Sequence, residues 1–205
     1  MEILSINSPD FSAFGCVHEG FDCAPLLRVL MQRPCPADVL YVPSDRELEA
    51  LPVSQQLQQT LFGQMPVQVG FTNGHCRRMN ALEYHKSSEL NIATEDVILF
   101  LAARQELSAQ FTMDSSSVKA FLLPKGVLVE IYATTLHYAP CQTSDAGYRC
   151  IVVLPAGTNL PLAGKTVVCA EDPLLAATNK WLIGHPEGGL PGGSFLGIRG
   201  KNLEV

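Results

Sequence analysis

Between residues 65 and 154 the sequence is a train of short alternating or apolar runs, and that rhythm constrains the fold more than any other feature. The runs cover 67–71, 82–85, 89–93, 97–101, 118–123, 127–132 and 150–154. Asn-Gly, Thr-Glu-Asp, Asp-Ser-Ser-Ser, Pro-Lys-Gly and Asp-Ala-Gly fall between them, residues that accept positive φ or bond their own backbone in tight turns. Runs this short suit strands rather than helices, and their regular pitch predicts a mainly β chain built as an antiparallel sandwich or barrel.

The flanks have a different texture. Residues 1–36 carry Ser-Pro-Asp, Phe-Gly-Cys and Arg-Pro-Cys-Pro around the apolar segment 24–31, which reads as a helix entered at Pro25 within an N-terminal arm. Ser44 followed three residues later by Glu47 is a capping-box pattern opening a short helix, and 55–61 reads as another. The tail from Pro155 is loop-rich, with a short helix expected over 174–181 and a glycine-dense end that lacks a phosphate-loop lysine. The expected organisation is one structural domain. Residues 1–64 form an arm and short helices packing on the barrel, 65–154 its core, and 155–205 an extension that serves as a lid.

At 205 residues and 47% hydrophobic the chain can bury a substantial core. The net charge of -6 argues against a nucleic-acid surface, which needs clustered Lys and Arg. Without a charged leader or an apolar stretch of membrane-spanning length, the expectation is a cytoplasmic protein with no membrane partner. Seven cysteines, an odd count with no Cys-x-x-Cys, read as buried thiols rather than a disulfide framework or zinc knuckle.

Chemistry concentrates in the segment 80–93, where Glu83, His85 and Glu89 fall within seven residues, with His137 following 52 residues after His85. Two residues apart on a strand, Glu83 and His85 share a face about 6.6 Å apart; on a helix they would diverge. His85 and Glu89 would lie roughly 13 Å apart on one straight strand, too far for a common ion. A turn at Lys86-Ser87-Ser88 is therefore required, after which Glu89 returns on the next strand beside the imidazole. Two carboxylates and two imidazoles suit one divalent ion, whether manganese, iron, zinc, nickel or cobalt. The competing reading makes the acids solvent-side strand residues and the histidines core side chains.

These residues resemble the motifs of the cupin superfamily. Glu83-x-His85-x-x-x-Glu89 keeps the spacing of the first cupin motif with its leading His replaced by Glu. Gly126, Tyr132-x-Thr134, His137 and Cys141 keep the frame of the second, with Tyr, Thr and Cys in place of Pro, Gly and Asn. The chain is also similar to an uncharacterised bacterial cupin family encoded beside sugar-catabolic enzymes. The resemblance implies a single cupin, a jelly-roll β-barrel with an N-terminal helical arm and a loop-rich C-terminal tail. It also implies a metal held by Glu83, His85, Glu89 and His137, and a homodimer formed through residues 1–36.

The activity expected on that basis is isomerisation or epimerisation of a small sugar, sugar acid or sugar phosphate through a metal-stabilised enediol. The alternatives are a lyase or hydrolase acting on a small carbonyl or ureido compound, an iron-dependent oxygenase, and a non-enzymatic sugar- or metal-binding cupin. Isomerisation needs a proton carrier. Glu130 and Tyr132, which share strand parity, are the leading candidates, with Lys86, Tyr138 and His75 behind them. Arg78, His75, Lys86, Tyr138, Cys141 and Trp181 are the expected contacts to a carbohydrate substrate, although Arg78 also reads as surface, His75 as a turn residue and Trp181 as a packing anchor.

Overall fold

A computed structural model describes residues 1–164 and 166–205. The N-terminal strands are β1 (Ile3–Ser5), β2 (Gly15–His18) and β3 (Leu40–Val42), interleaved with helices α1 (Ala24–Leu30), α2 (Arg46–Glu49) and α3 (Pro52–Thr60). The central strands are β4 (Val67–Gly74), β5 (Ala81–Tyr84), β6 (Glu89–Ala93), β7 (Val97–Ala103), β8 (Met113–Asp114), β9 (Lys119–Leu123), β10 (Leu128–Ile131), β11 (Thr135–Leu136), β12 (Cys141–Gln142) and β13 (Tyr148–Pro155). The tail adds β14 (Leu175–Ala177), β15 (Lys180–Gly184) and β16 (Ile198–Arg199).

One sheet runs β2-β10-β6-β13-β4-β3. In the other, β1-β9-β7-β11 stand in order with β12 also on β7, and a bridge between Glu83 and His137 carries β5 onto β11. The chain therefore places β4-β13-β6-β10 in one layer and β5-β11-β7-β9 in the other, crossing between them repeatedly. That strand order is a double-sheet jelly roll, the architecture the cupin resemblance implies.

Alternation along the strands sorts side chains among three cores, two of which flank the six-stranded sheet. Leu99, Leu101, Phe121, Val129 and Ile131 fill the space between the sheets. Leu90, Ile92, Ile151, Val153, Val69 and Phe71 point the other way, where Leu26, Leu30, Leu48 and Leu57 of α1, α2 and α3 cover them. The six-stranded sheet is thus buried on both faces, which is why its central strands read as continuous apolar runs. Gly70 marks the tightest approach: a Cβ there would lie 2.0 Å from the Val42 carbonyl oxygen, so only glycine lets β3 and Pro43 cross β4 so closely.

Two local expectations are corrected. α2 is capped by Asp45 rather than Ser44: the Asp45 carboxylate accepts from the amides of Glu47 and Leu48, while the Ser44 hydroxyl donates to Glu49. The helix expected over 174–181 is instead the hairpin β14–β15, turned by Thr178 and Asn179, with Asn179 at φ 56°. Leu and Ala gave that segment a helical look, but the open edge of β5 takes β15 in register, Trp181 opposite Tyr84 and Leu182 opposite Glu83. At the N-terminus β1 pairs in parallel with β9 and β2 antiparallel with β10. Among the described residues no helix is long and apolar enough to cross a membrane.

Candidate metal centre

Four elements converge on a cavity of about 110 Å³ between the sheets. Glu83 and His137 are direct cross-strand partners that exchange both backbone hydrogen bonds, so their side chains emerge side by side. His85 follows at the end of β5. The chain then turns through Lys86-Ser87-Ser88 and enters the opposite layer, where Glu89 opens β6. Glu89 returns beside the imidazole as its spacing required, but from across the sandwich instead of from a hairpin partner.

His85 Nε2 lies 3.3 Å from Glu89 Oε2 and 3.6 Å from Glu83 Oε1, and His137 Nε2 lies 3.3 Å from the same Glu89 oxygen. Donor atoms of Glu83, His85 and His137 all fall within 4.8 Å of one another, and all four residues are buried. Each ring is oriented from behind. His85 Nδ1–H donates to the Asn179 carbonyl at 2.6 Å and His137 Nδ1–H to the Thr135 carbonyl at 3.1 Å. With the Nδ1 protons committed to carbonyls, both Nε2 atoms are left facing the carboxylates, the atoms a bound ion would take as ligands. Among the described residues His85 Nε2 has no hydrogen-bond partner. The Asn91 amide donates to Glu89 Oε1 at 2.8 Å, leaving Oε2 for the histidines.

Two charged carboxylates in a buried space require positive charge beside them. Part of that requirement is met by Lys180, whose Nζ pairs with Glu83 Oε2. Strand parity explains the contact: Lys180 and Leu182 lie on the Glu83 side of β15, while Trp181 lies on the Tyr84 side and stacks on that ring at 5.6 Å. Burial opposes the charge on Glu83, yet Lys180, His85 and His137 outweigh it and hold the carboxyl down to about 2. Burial likewise works against a charged His85, but the adjacent Glu83 and Glu89 carboxylates push it up to about 10. Glu89 is held well below the usual range by His137 and His85 against its burial. The cluster is thus built to hold positive charge, and a divalent ion fits its donor set.

Of the expected substrate and proton-carrying residues, only Tyr138 lines the cavity, alongside Glu83, Glu89 and His137. Burial raises its phenol above the ordinary range. Glu130 sits on the outward face of β10, paired in register with Leu90 and Cys16, and bonds His18; Tyr132 follows it and lies beside Cys16. Neither lines the cavity. Both faces of β10 are covered, so its apolar pattern did not say which one looks inward. Lys86 caps the Trp181 ring at 4.3 Å and pairs with Glu171, placing both residues on the far side of β5. Cys141 is buried 3.9 Å from the Cys76 sulfur behind the cavity wall. His75 and Arg78 line an adjoining outer recess of about 570 Å³ that shares Val39, Tyr138 and Ala139 with the inner cavity, and Arg78 pairs there with Glu204. Lys180, Tyr41, Asn91 and Asn159 are cavity residues that the sequence reading did not assign to the site. The signal for Lys180 was the alternation that follows Asn179, hidden by the helical look of the segment.

A family model described as a domain of unknown function, DUF4867, matches residues 3–203. No curated protein matches the chain. Among solved structures, oxalate decarboxylase from Bacillus subtilis at pH 4.6 is similar at 12% identity and a TM-score of 0.36, over 62% of this chain and 28% of that one. A formate complex of oxalate decarboxylase from Lactobacillus farciminis is similar at 12% identity and a TM-score of 0.33, over 57% and 28%. The chain thus spans less than a third of the length of these structures. The jelly-roll assignment stands on the strand order itself.

Proposed function

For a chain that belongs to the DUF4867 family, we propose a metal-dependent enzyme that isomerises or epimerises a small sugar or sugar acid. The observation that carries this reading is the convergence of two oriented imidazoles and two carboxylates on one buried point beside a small cavity with a polar wall. Glu83, His85, Glu89 and His137 would hold the ion. Bound there, a divalent metal supplies Lewis acidity to a carbonyl or hydroxyl oxygen and lowers the barrier to an enediol.

The protein's own groups account for the rest. Lys180, held as an ammonium against Glu83, fixes that carboxylate and presents a donor to the cavity for a substrate oxygen. Tyr138 lies close to Lys180, whose Nζ stands 5.5 Å from its ring centre. As a half-buried phenol kept in its protonated form, it is the proton carrier best placed among the five candidates. The Tyr41 hydroxyl accepts from the Asn159 amide at 2.8 Å and completes a wall of hydrogen-bonding groups suited to hydroxyls.

The test is elemental analysis of the purified protein, followed by NMR of aldoses, ketoses and uronates in deuterated buffer. The expected result is one divalent ion per site and deuterium entering the carbon beside the carbonyl, both lost in His85→Ala and His137→Ala. Fragment release would move the activity to the lyases. Saturable binding without exchange would make the protein a binding module.

A further inference from the structure

Cys16, His18 and Glu130 form a second cluster on the outward face of the six-stranded sheet, away from the cavity. On the edge strand β2, Cys16 and His18 are two residues apart and share a face; Glu130 is the register partner of Cys16 on β10. His18 Nε2 lies 2.8 Å from Glu130 Oε2 and 3.5 Å from Cys16 Sγ, and that sulfur lies 3.8 Å from the same carboxylate oxygen. All three donor atoms face one another, half-buried. A nucleophile relay is excluded by the geometry, since it needs the thiol on one ring nitrogen and the carboxylate on the other. Here both meet Nε2.

Ligand atoms about 2.0 to 2.3 Å from a tetrahedral zinc stand roughly 3.3 to 3.6 Å apart. The observed triangle matches that spacing to within about half an ångström. We propose that Cys16, His18 and Glu130 are a second metal site, taking zinc or an ion of similar softness and pinning the edge strand β2 to β10. One sulfur, one nitrogen and one oxygen donor suit such a borderline ion. The His18 and Glu130 side chains are 21% and 20% exposed, which lets the ion enter and water complete the coordination. Burial, with the Glu130 carboxylate adding to it, holds the Cys16 thiol above its ordinary range; coordination would displace its proton.

Cobalt(II) titration of the metal-stripped full chain tests this, because thiolate-to-cobalt charge-transfer absorption arises only where sulfur binds and the centre in the cavity has none. The wild type should bind two equivalents and show the band. Cys16→Ser should lose the band and one equivalent, whereas His137→Ala should lose the other equivalent and keep the band. Zinc should raise the melting temperature of His137→Ala but not that of the double variant Cys16→Ser, His137→Ala, a comparison that also verifies folding. A wild type without the band, or a band that survives Cys16→Ser, overturns the proposal.

Discussion

The Nδ1–H of His85 donates to the main-chain carbonyl of Asn179 at 2.6 Å, so a turn 94 residues further along the chain decides which ring nitrogen faces the cavity. The turn is held by the Asn179 side chain, which accepts from the Lys86 amide and donates to the hydroxyls of Ser87 and Thr158. Asn179 also occupies the left-handed region at φ 56°. Asn179→Ala removes those bonds and strains the turn, and metal affinity should fall on the order of tenfold. Asn179→Gly relieves the strain alone and should fall between. Calorimetric titration with manganese or zinc checks the order.

Lys180 leads the groups that neutralise the buried Glu83 carboxylate. Lys180→Met should destabilise the metal-free protein by roughly 2 kcal/mol, less than a fully buried pair would cost because the lysine keeps some exposure. A divalent ion takes over the neutralising charge, so the loss should shrink when metal is present. Denaturant unfolding with and without the ion measures both. An equal loss in the two conditions would separate Lys180 from the centre.

Asp45 both caps α2 and pairs with Arg33 at 2.8 Å. The hydrogen bond from Arg33 leads the effects that hold its carboxyl below the ordinary 3.8. A carboxyl lowered on folding contributes stability above its unfolded pKa and loses it as pH falls through the folded one. Asp45→Ala should therefore cost about 1 to 2 kcal/mol near neutrality. The gap between wild type and variant should close below about pH 4. Urea midpoints at several pH values give the comparison.

Leu26 of α1 is fully buried against the outward face of the six-stranded sheet. If the N-terminal helices belong to the core, Leu26→Ala should cost about 2 to 5 kcal/mol, as truncation of a buried leucine does. Thermal unfolding should also remain one transition, because the same sheet carries Glu89. A separate early melting step would show instead that the arm is an independent unit.

The strands were legible because alternation with a period of two is a local property: 89–93 was read to its last residue, and the other central runs to within a few positions. The meeting of the four candidate ligands was readable as well, since a pair two apart, a turn and a distant histidine can meet at one point only through strands. The direction of Glu130 was not, because β10 is covered on both faces and an apolar pattern on such a strand has no inside. Nor was the hairpin of the tail, where the deciding partner is the edge of β5, some hundred residues earlier in the chain.

By itself, then, the sequence determined periodicity, turn chemistry and the identity of the four candidate ligands, all of which depend on neighbours along the chain. Only the tertiary structure decided that β5 and β6 face each other across a sandwich, that β15 brings Lys180 to Glu83, and that backbone carbonyls at Asn179 and Thr135 aim the two imidazoles. Those are long-range pairings set by which sheet edge is open and which face is already covered. Residue spacing within a segment does not encode them.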